Sequence, residues 1–360
     1  MSKIGIDIQT TLGQKTGFGF YVSNLTKALK KVDKNNKYVF LKPETEKDFS
    51  APQRFLWDQV KLPKLAREAK ISLLHQPAFS APVGYRGKVV VTVHDVIAVL
   101  FGQDIPFFSR QYFARWMPFS YRFADKIICV SEHTKKDLMR HLRINEEKMV
   151  VIPEAAGEQF RPITDEKAIS RILEKYHIDS RYILHVGTLN PRKNLDFLIK
   201  VFSRVHRLIP DVKLVITGKK GWHFDSLFEL VTQLGLEKYI IFTGYIEDNE
   251  APYLYSGASV YAFPSIYEGF GLPPLEAMSC GTPVVASDTS SIPEVVGNAG
   301  ILLDPKDTES WVKALVRLLR NVDEQKRYSD KSLKQAQNFS WRKTAQATVD
   351  VYEELLNADK

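Results

Sequence analysis

Apolar positions along this chain follow two alternating rhythms. Short runs rich in Val and Ile fall at residues 3–8, 38–41, 72–75, 88–93, 126–130 and 149–152, and again at 182–186, 213–217, 240–242, 260–263 and 283–286. Brief, continuously apolar runs of this kind mark parallel strands covered on both faces. Between them, apolar residues recur three and four positions apart, which predicts helices over about 18–32, 53–70, 107–123 and 132–142. The second half adds helices over about 194–209, 225–235, 275–280, 308–320 and 324–337, with a last one near 342–357. Strands alternating with helices through both halves predict an α/β protein of two doubly wound domains.

The chain has 360 residues, enough for two cores, since single cores seldom grow past about 250–300 residues. The stretch Pro153-Glu-Ala-Ala-Gly-Glu-Gln-Phe-Arg-Pro162 has no periodicity and is closed by prolines. It predicts a first domain over 1–160 and a second over 161–341. The last helix follows no strand and is free to pack on either domain. Open α/β sheets bind ligands beyond the carboxyl ends of their strands, so chemistry is expected just after strands, in a cleft between the domains.

Composition is that of a globular protein, with 44% hydrophobic and 26% charged residues, which excludes a disordered chain, a fibre or a disulfide-built miniprotein. The formal charge of +8 is uneven: residues 1–160 carry 25 Lys and Arg against 16 Asp and Glu, the remainder 25 against 26. A basic first half suits a polyanionic or membrane partner, or is simply a solvated basic surface. Cys129 and Cys280 lie in apolar or small-residue surroundings and suit reduced, buried thiols in a cytosolic protein. The start of the chain runs straight into a strand without the pattern of a signal peptide, and no run of about 18 apolar residues occurs.

Four segments after strands carry candidate chemistry. The richest is Pro264-Ser-Ile-Tyr-Glu-Gly-Phe-Gly-Leu-Pro-Pro-Leu-Glu-Ala-Met278. Gly269 and Gly271 permit close backbone approach, and Pro273 and Pro274 suit a first helical turn. The unpaired amides there can bind phosphate or hydroxyl oxygens. Glu268 on the loop and Glu276, expected in the first turn, form a carboxylate pair suited to gripping vicinal hydroxyls. Either one alone is equally a solvated or dipole-favoured side chain. The second segment is Gly187-Thr-Leu-Asn-Pro-Arg-Lys-Asn194, whose Arg192 and Lys193 would neutralise a diphosphate or stand solvated in a loop. The third is Val91-Thr-Val-His-Asp95, where His94 could donate to a sugar hydroxyl, assist proton transfer or be structural. The fourth, Gly13-Gln-Lys-Thr-Gly-Phe-Gly19, is a glycine turn without the Gly-x-Gly-x-x-Gly spacing. Asp-x-Asp, His-x-x-x-His, Cys-x-x-Cys, Walker and Gly-x-Ser-x-Gly patterns are absent from the sequence, so no metal site is expected.

Taken together, the glycine loop, His-Asp, Arg-Lys and Glu-x₇-Glu resemble the retaining glycosyltransferases of family 4, with the GT-B fold of two Rossmann-like doubly wound domains facing a central cleft. The most specific part is Tyr267-Glu-Gly-Phe-Gly-Leu-Pro-Pro-Leu-Glu-Ala-Met-Ser-Cys-Gly-Thr-Pro-Val-Val-Ala-Ser287. The linker Val151-Ile-Pro to Phe160-Arg-Pro162 and Ser131-Glu-His-Thr-Lys-Lys-Asp-Leu138 are also similar to that family. The resemblance implies an N-terminal acceptor domain, to which residues 342–360 cross back, and a C-terminal domain binding a nucleotide-sugar donor. Arg192 and Lys193 would hold the donor diphosphate, Glu276 the ribose, and Glu268 the donor sugar. Phe270, Gly271 and Leu272 would offer amides to sugar or phosphate. His94 would hydrogen-bond the donor sugar, and Gly17 and Gly19 would let the first loop approach donor and acceptor.

The Tyr-Glu-Gly-Phe-Gly-Leu-Pro-Pro-Leu-Glu form is similar to bacterial mannosyltransferases of O-antigen and other surface polysaccharides. It implies GDP-mannose as donor, with UDP-glucose and related donors as alternatives, and no cofactor or metal. The implied acceptor is a sugar or lipid-linked glycan at the cytoplasmic face of the membrane, with no nucleic acid partner. In residues 107–123, Phe107, Phe108, Tyr112, Phe113, Trp116, Phe119 and Tyr121 stand beside Arg110, Arg115 and Arg122. That mixture suits peripheral contact with an anionic membrane and equally a core helix with basic edges. A GT-B sugar-nucleotide epimerase and a non-catalytic two-lobed sugar-binding protein are the competing readings.

Overall fold

A computed structural model describes residues 1–12, 17–45, 48–102, 106–219 and 225–358. Its internal contacts divide the chain into Met1–Ala155 with Phe339–Lys360, and Ala156–Asn338. The division therefore falls after Ala155 and not after residue 160, and the chain returns to the first unit at Phe339, not at 342. Packing explains both shifts. Ile152 and Ala155 are buried in the first unit's core beside Trp341, with Phe339 packed against it. Phe160 instead packs into the second unit's core, its ring 5.8 Å from that of Tyr255.

In the first unit, β1 (Lys3–Asp7), β2 (Lys37–Leu41), β3 (Leu73–Gln76), β4 (Lys88–Val93), β5 (Lys126–Cys129) and β6 (Met149–Val151) form one parallel sheet ordered β2-β1-β3-β4-β5-β6. The helix Gly17–Val32 and the final helix Trp341–Asn357 cover one face, burying Tyr21, Leu25, Val349 and Tyr352 against Ile4, Ile6 and Val90. Buried polar contacts help fix the final helix there. Tyr352 pairs with His75 Nδ1 at 2.6 Å, and Thr344 donates to the Pro153 carbonyl at 2.7 Å.

In the second unit, β7 (Tyr182–Val186), β8 (Lys213–Thr217), β9 (Ile240–Gly244), β10 (Val260–Phe263), β11 (Val284–Ser287) and β12 (Ile301–Leu303) form a parallel sheet ordered β12-β11-β10-β7-β8-β9. Buried apolar clusters lie on both of its faces, as in a doubly wound sheet. The chain's winding reverses between β1 and β3 in the first sheet and between β7 and β10 in the second. Such switch points leave a crevice at the strands' carboxyl ends, where ligands bind.

The eleven strand runs read from the sequence each overlap a strand, whereas β12 was not predicted. Its three residues are only half-buried at a sheet edge, too short for a period to show. The helices Glu166–Lys175, Ala251–Gly257 and Ile292–Val296 also escaped the reading. Two of them are a turn or two long and begin with a proline in the first turn. The helix expected at 275–280 starts earlier, at Leu272, because Pro273 and Pro274 lie inside its first turn. Among the described residues, no helix is long and apolar enough to cross a membrane. Cys129 and Cys280 are both free and buried.

Candidate functional site

The second unit's switch point gathers the residues that follow β7 and β10. After β7 the chain turns through Pro191–Lys193, and Asn194 in the left-handed region (φ 58°) starts the next helix. Asn194 Nδ2 ties this turn down by donating to the carbonyls of Pro264 and Pro305. Lys193 is thereby buried, its ammonium 4.7 Å from the centre of the Phe263 ring. Gly187 lies against it, and a Cβ there would stand 3.1 Å from the lysine Cε, tighter than an ordinary contact.

Glu268 is the centre of the cluster. Its Oε1 accepts from Lys193 Nζ at 2.6 Å and from Ser265 Oγ at 2.6 Å, and lies 2.7 Å from Arg192 NH1. Arg192 also donates to the Tyr267 carbonyl. Among the described residues, no group bonds the other oxygen, Oε2. The loop is held by Ser291 Oγ, which donates to the carbonyls of Glu268 and Phe270, and by the Glu268 amide, which donates to Ser290 Oγ. Burial would raise the Glu268 carboxyl, but Lys193 and Arg192 lower it to about 2. Burial draws Lys193 down to about 8 despite its partner. At neutral pH the cluster is one buried carboxylate between two cations.

Gly271, at φ +124°, turns the chain into the helix Leu272–Ser279. Pro273 and Pro274, which lack an N–H, occupy its first turn, so the Leu272 amide is the donor at its start. Glu276 lies in the second turn of that helix and not the first, so the dipole reading of this carboxylate fails. It accepts from Tyr255 at 3.0 Å, and burial pushes it up to about 8, protonated at neutral pH without a ligand. Arg192, Lys193, Glu268 and the 270–272 segment are thus brought together. Glu276 borders them closely enough for Lys193 to act on its charge.

In the first unit, His94 follows β4. Its ring lies 4.8 Å from Phe18 and 4.6 Å, edge-on, from Tyr21. Nδ1 meets Glu154 Oε1 at 2.7 Å and Nε2 meets the Pro77 carbonyl at 2.9 Å. His94 and Asp95 line a cavity of about 240 Å³ together with Phe18, Phe79 and Phe113. Gly17 and Gly19 lie in the first turn of the helix Gly17–Val32, not in a loop before it. Residues 13–16 of the glycine turn lie outside the described residues. No group of three or more metal-binding side chains occurs among the described residues.

Two family models divide the chain between them: "Glycosyltransferase Family 4" matches residues 19–156 and "Glycosyl transferases group 1" matches 167–335. O-antigen chain mannosyltransferase B of Escherichia coli is 32% identical over 295 residues, which span 80% of this chain and 76% of that protein. This chain is a family 4 glycosyltransferase. Solved structures agree on its GT-B fold. Sucrose-phosphate synthase from Thermosynechococcus elongatus superimposes with a TM-score of 0.78 at 20% identity, covering 99% of this chain and 100% of that one. Anabaena HepE, solved with UDP and glucose, gives 0.77 at 18% identity, covering 98% and 100%.

Within the glycosyltransferase, sequence reasoning passed over Glu154, Ser265 and Tyr255. Glu154 follows β6, so the rule that flagged His94 also applied to it, but its segment read as a linker. Ser265 was inside the quoted loop without an assigned role. Tyr255 sits on the unpredicted helix Ala251–Gly257. The aromatic residues of the helical run 107–123 divide. Tyr112 and Tyr121 are buried, whereas Phe107, Phe108 and Phe119 are 67%, 74% and 45% exposed. Phe123 and, from the helical run 51–68, Phe55, Leu56 and Val60 are exposed as well. Trp116 joins the two runs, its ring 5.1 Å from that of Phe55.

Proposed function

We propose that this glycosyltransferase moves mannose from GDP-mannose, with retention of configuration, to a sugar or lipid-linked oligosaccharide acceptor in surface-polysaccharide synthesis. The observation that carries the reading is the Arg192–Lys193–Glu268 cluster beside the open helix turn at 270–272. A departing nucleoside diphosphate accumulates negative charge, and two fixed cations with helix-terminal amides stabilise it where it develops. The chain thereby supplies the charge that a divalent ion would otherwise bring, and we assign the reaction no metal. Glu268 keeps Oε2 for donor sugar hydroxyls, while Glu276, beyond the first turn, accepts from the ribose. We assign His94 to the transferred sugar and the first unit to the acceptor. The E. coli relative's own name, a mannosyltransferase of O-antigen chains, supports mannose.

The exposed Phe107, Phe108 and Phe119 beside Arg110, Arg115 and Arg122 support peripheral attachment to an anionic membrane at its cytoplasmic face. The reading is tested by a thermal-shift screen of GDP, UDP and their sugars, followed by anomeric analysis of the product. Ligand at 100 times Kd stabilises by about 2.7 kcal/mol. A response to guanine nucleotides, an α-mannosyl product and activity retained in EDTA are expected. A response confined to uridine nucleotides overturns the donor.

A further inference from the structure

His94 is enclosed by acceptors. Nδ1 faces the Glu154 carboxylate at 2.7 Å, and Nε2 faces the Pro77 carbonyl, which can only accept, at 2.9 Å. A neutral imidazole donates from one nitrogen only, so both contacts to a carbonyl and a carboxylate are satisfied together by the imidazolium. The ring has little freedom to turn away. Phe18 and Tyr21 flank it, and its own backbone carbonyl accepts from Thr134. Glu154 is 4% exposed and reaches His94 from the segment after β6. The nearby groups are Asp95 next in the chain, Tyr21 on the first helix and His75 on β3. His75 bonds Tyr352 and Thr92 and is pushed down to about 3 by burial and by the His94 charge, so it stays neutral.

We propose that Glu154 is a positioning residue that keeps His94 as an imidazolium, so that His94 serves the transferred sugar as a fixed cation, not as a proton acceptor. This rests on the reading that His94 faces that sugar. The charge balance agrees with the geometry: burial disfavours the cation, but the Glu154 hydrogen bond and charge, the Pro77 carbonyl and Asp95 raise His94 above its ordinary value. A buried ion pair of this sort orients its ring and holds one protonation state. The consequence for the chemistry is direct. An imidazolium has no lone pair, so the acceptor hydroxyl's proton must leave to another group, such as the departing phosphate.

The test is nitrogen-15 NMR of the histidine rings in the ligand-free full chain, with His94 assigned by His94→Asn, and wild type compared with Glu154→Gln. Two protonated ring nitrogens are expected at pH 7.5 in wild type. In Glu154→Gln the titration midpoint falls by about 1–3 pH units. The alkaline limb of kcat/KM then moves to lower pH by the same interval, an effect that a merely structural residue would not produce. Glu154→Asp, which keeps the charge, should restore the wild-type midpoint and serves if Glu154→Gln melts early. A neutral His94 at pH 7.5 in wild type, or an unmoved midpoint in Glu154→Gln, overturns the proposal. Full activity of His94→Asn would instead remove the reading that His94 meets the sugar, leaving the ligand-free titration to stand by itself.

Discussion

Glu268→Gln removes one charge from the candidate site and changes almost nothing in its shape. In the wild type, Lys193 and Arg192 overcome burial and hold the carboxyl at about 2, against an ordinary 4.5. That lowering amounts to roughly 3 kcal/mol of folding stability at neutral pH. It matches the range of about 3–5 kcal/mol for removing one partner of a buried pair. For a unit of this size, 1 kcal/mol moves the melting temperature by about 2–4 °C, so the variant should melt about 6–12 °C lower at pH 7. The sign of the pH dependence follows from the depressed carboxyl. Its contribution is fully present above about pH 4.5 and is lost as pH falls through 2, so the gap between the two proteins narrows in acid. On the alkaline side, burial already draws Lys193 down to about 8, and loss of its anionic partner lowers it further. The variant should therefore recover stability as Lys193 sheds its proton through neutral pH. Melting curves of both proteins from pH 2 to 9 read this directly. Nucleoside diphosphate binding should persist below neutral pH, where both cations remain, while kcat falls about 100-fold or more through the lost grip on the sugar. A deficit below about 1 kcal/mol at pH 7, or one independent of pH, would refute the charged-cluster argument.

Three further outcomes are expected. Lys193→Ala should keep its circular-dichroism spectrum and lose about 10²–10³-fold in kcat/KM; an unchanged kcat/KM would sink the diphosphate role. Gly271→Ala has room, its nearest neighbour being Val295 Cγ2 at 3.6 Å, so its cost is backbone strain at φ +124°, about 1–3 kcal/mol in a melting curve, with weaker donor binding. Phe107→Ser with Phe108→Ser removes exposed rings only; stability should move by less than about 0.5 kcal/mol while co-sedimentation with anionic liposomes at physiological salt is lost. Wild-type protein that fails to co-sediment would count against membrane attachment.

The strand ends that carry the candidate residues were foreshadowed by local signals. Strands as apolar as β4 and β7, each followed by histidine, glycine or paired cations, can be read without a structure, because a strand buried on two faces has no other composition and its end is where the chain must turn. The Pro264–Met278 loop was readable for the same reason: glycines and prolines report backbone geometry one residue at a time. Harder to read were elements whose stability comes from neighbours. β12 has three half-buried residues, and the helix Ala251–Gly257 depends on packing against Tyr182 and Phe160, far away in sequence.

The amino-acid sequence by itself thus determined the two α/β halves, eleven of the strands and the candidate polar residues just after them, since those depend on periodicity and residue chemistry. Only tertiary structure decided how charges are shared among them. Lys193 and Glu268 are 75 positions apart and His94 and Glu154 are 60 apart. Each pair forms because parallel strands align their carboxyl ends, and each is tuned by burial that no local pattern encodes. The same holds for the boundary: Phe160 and Ala155 differ in unit because one fits the second core and the other the first.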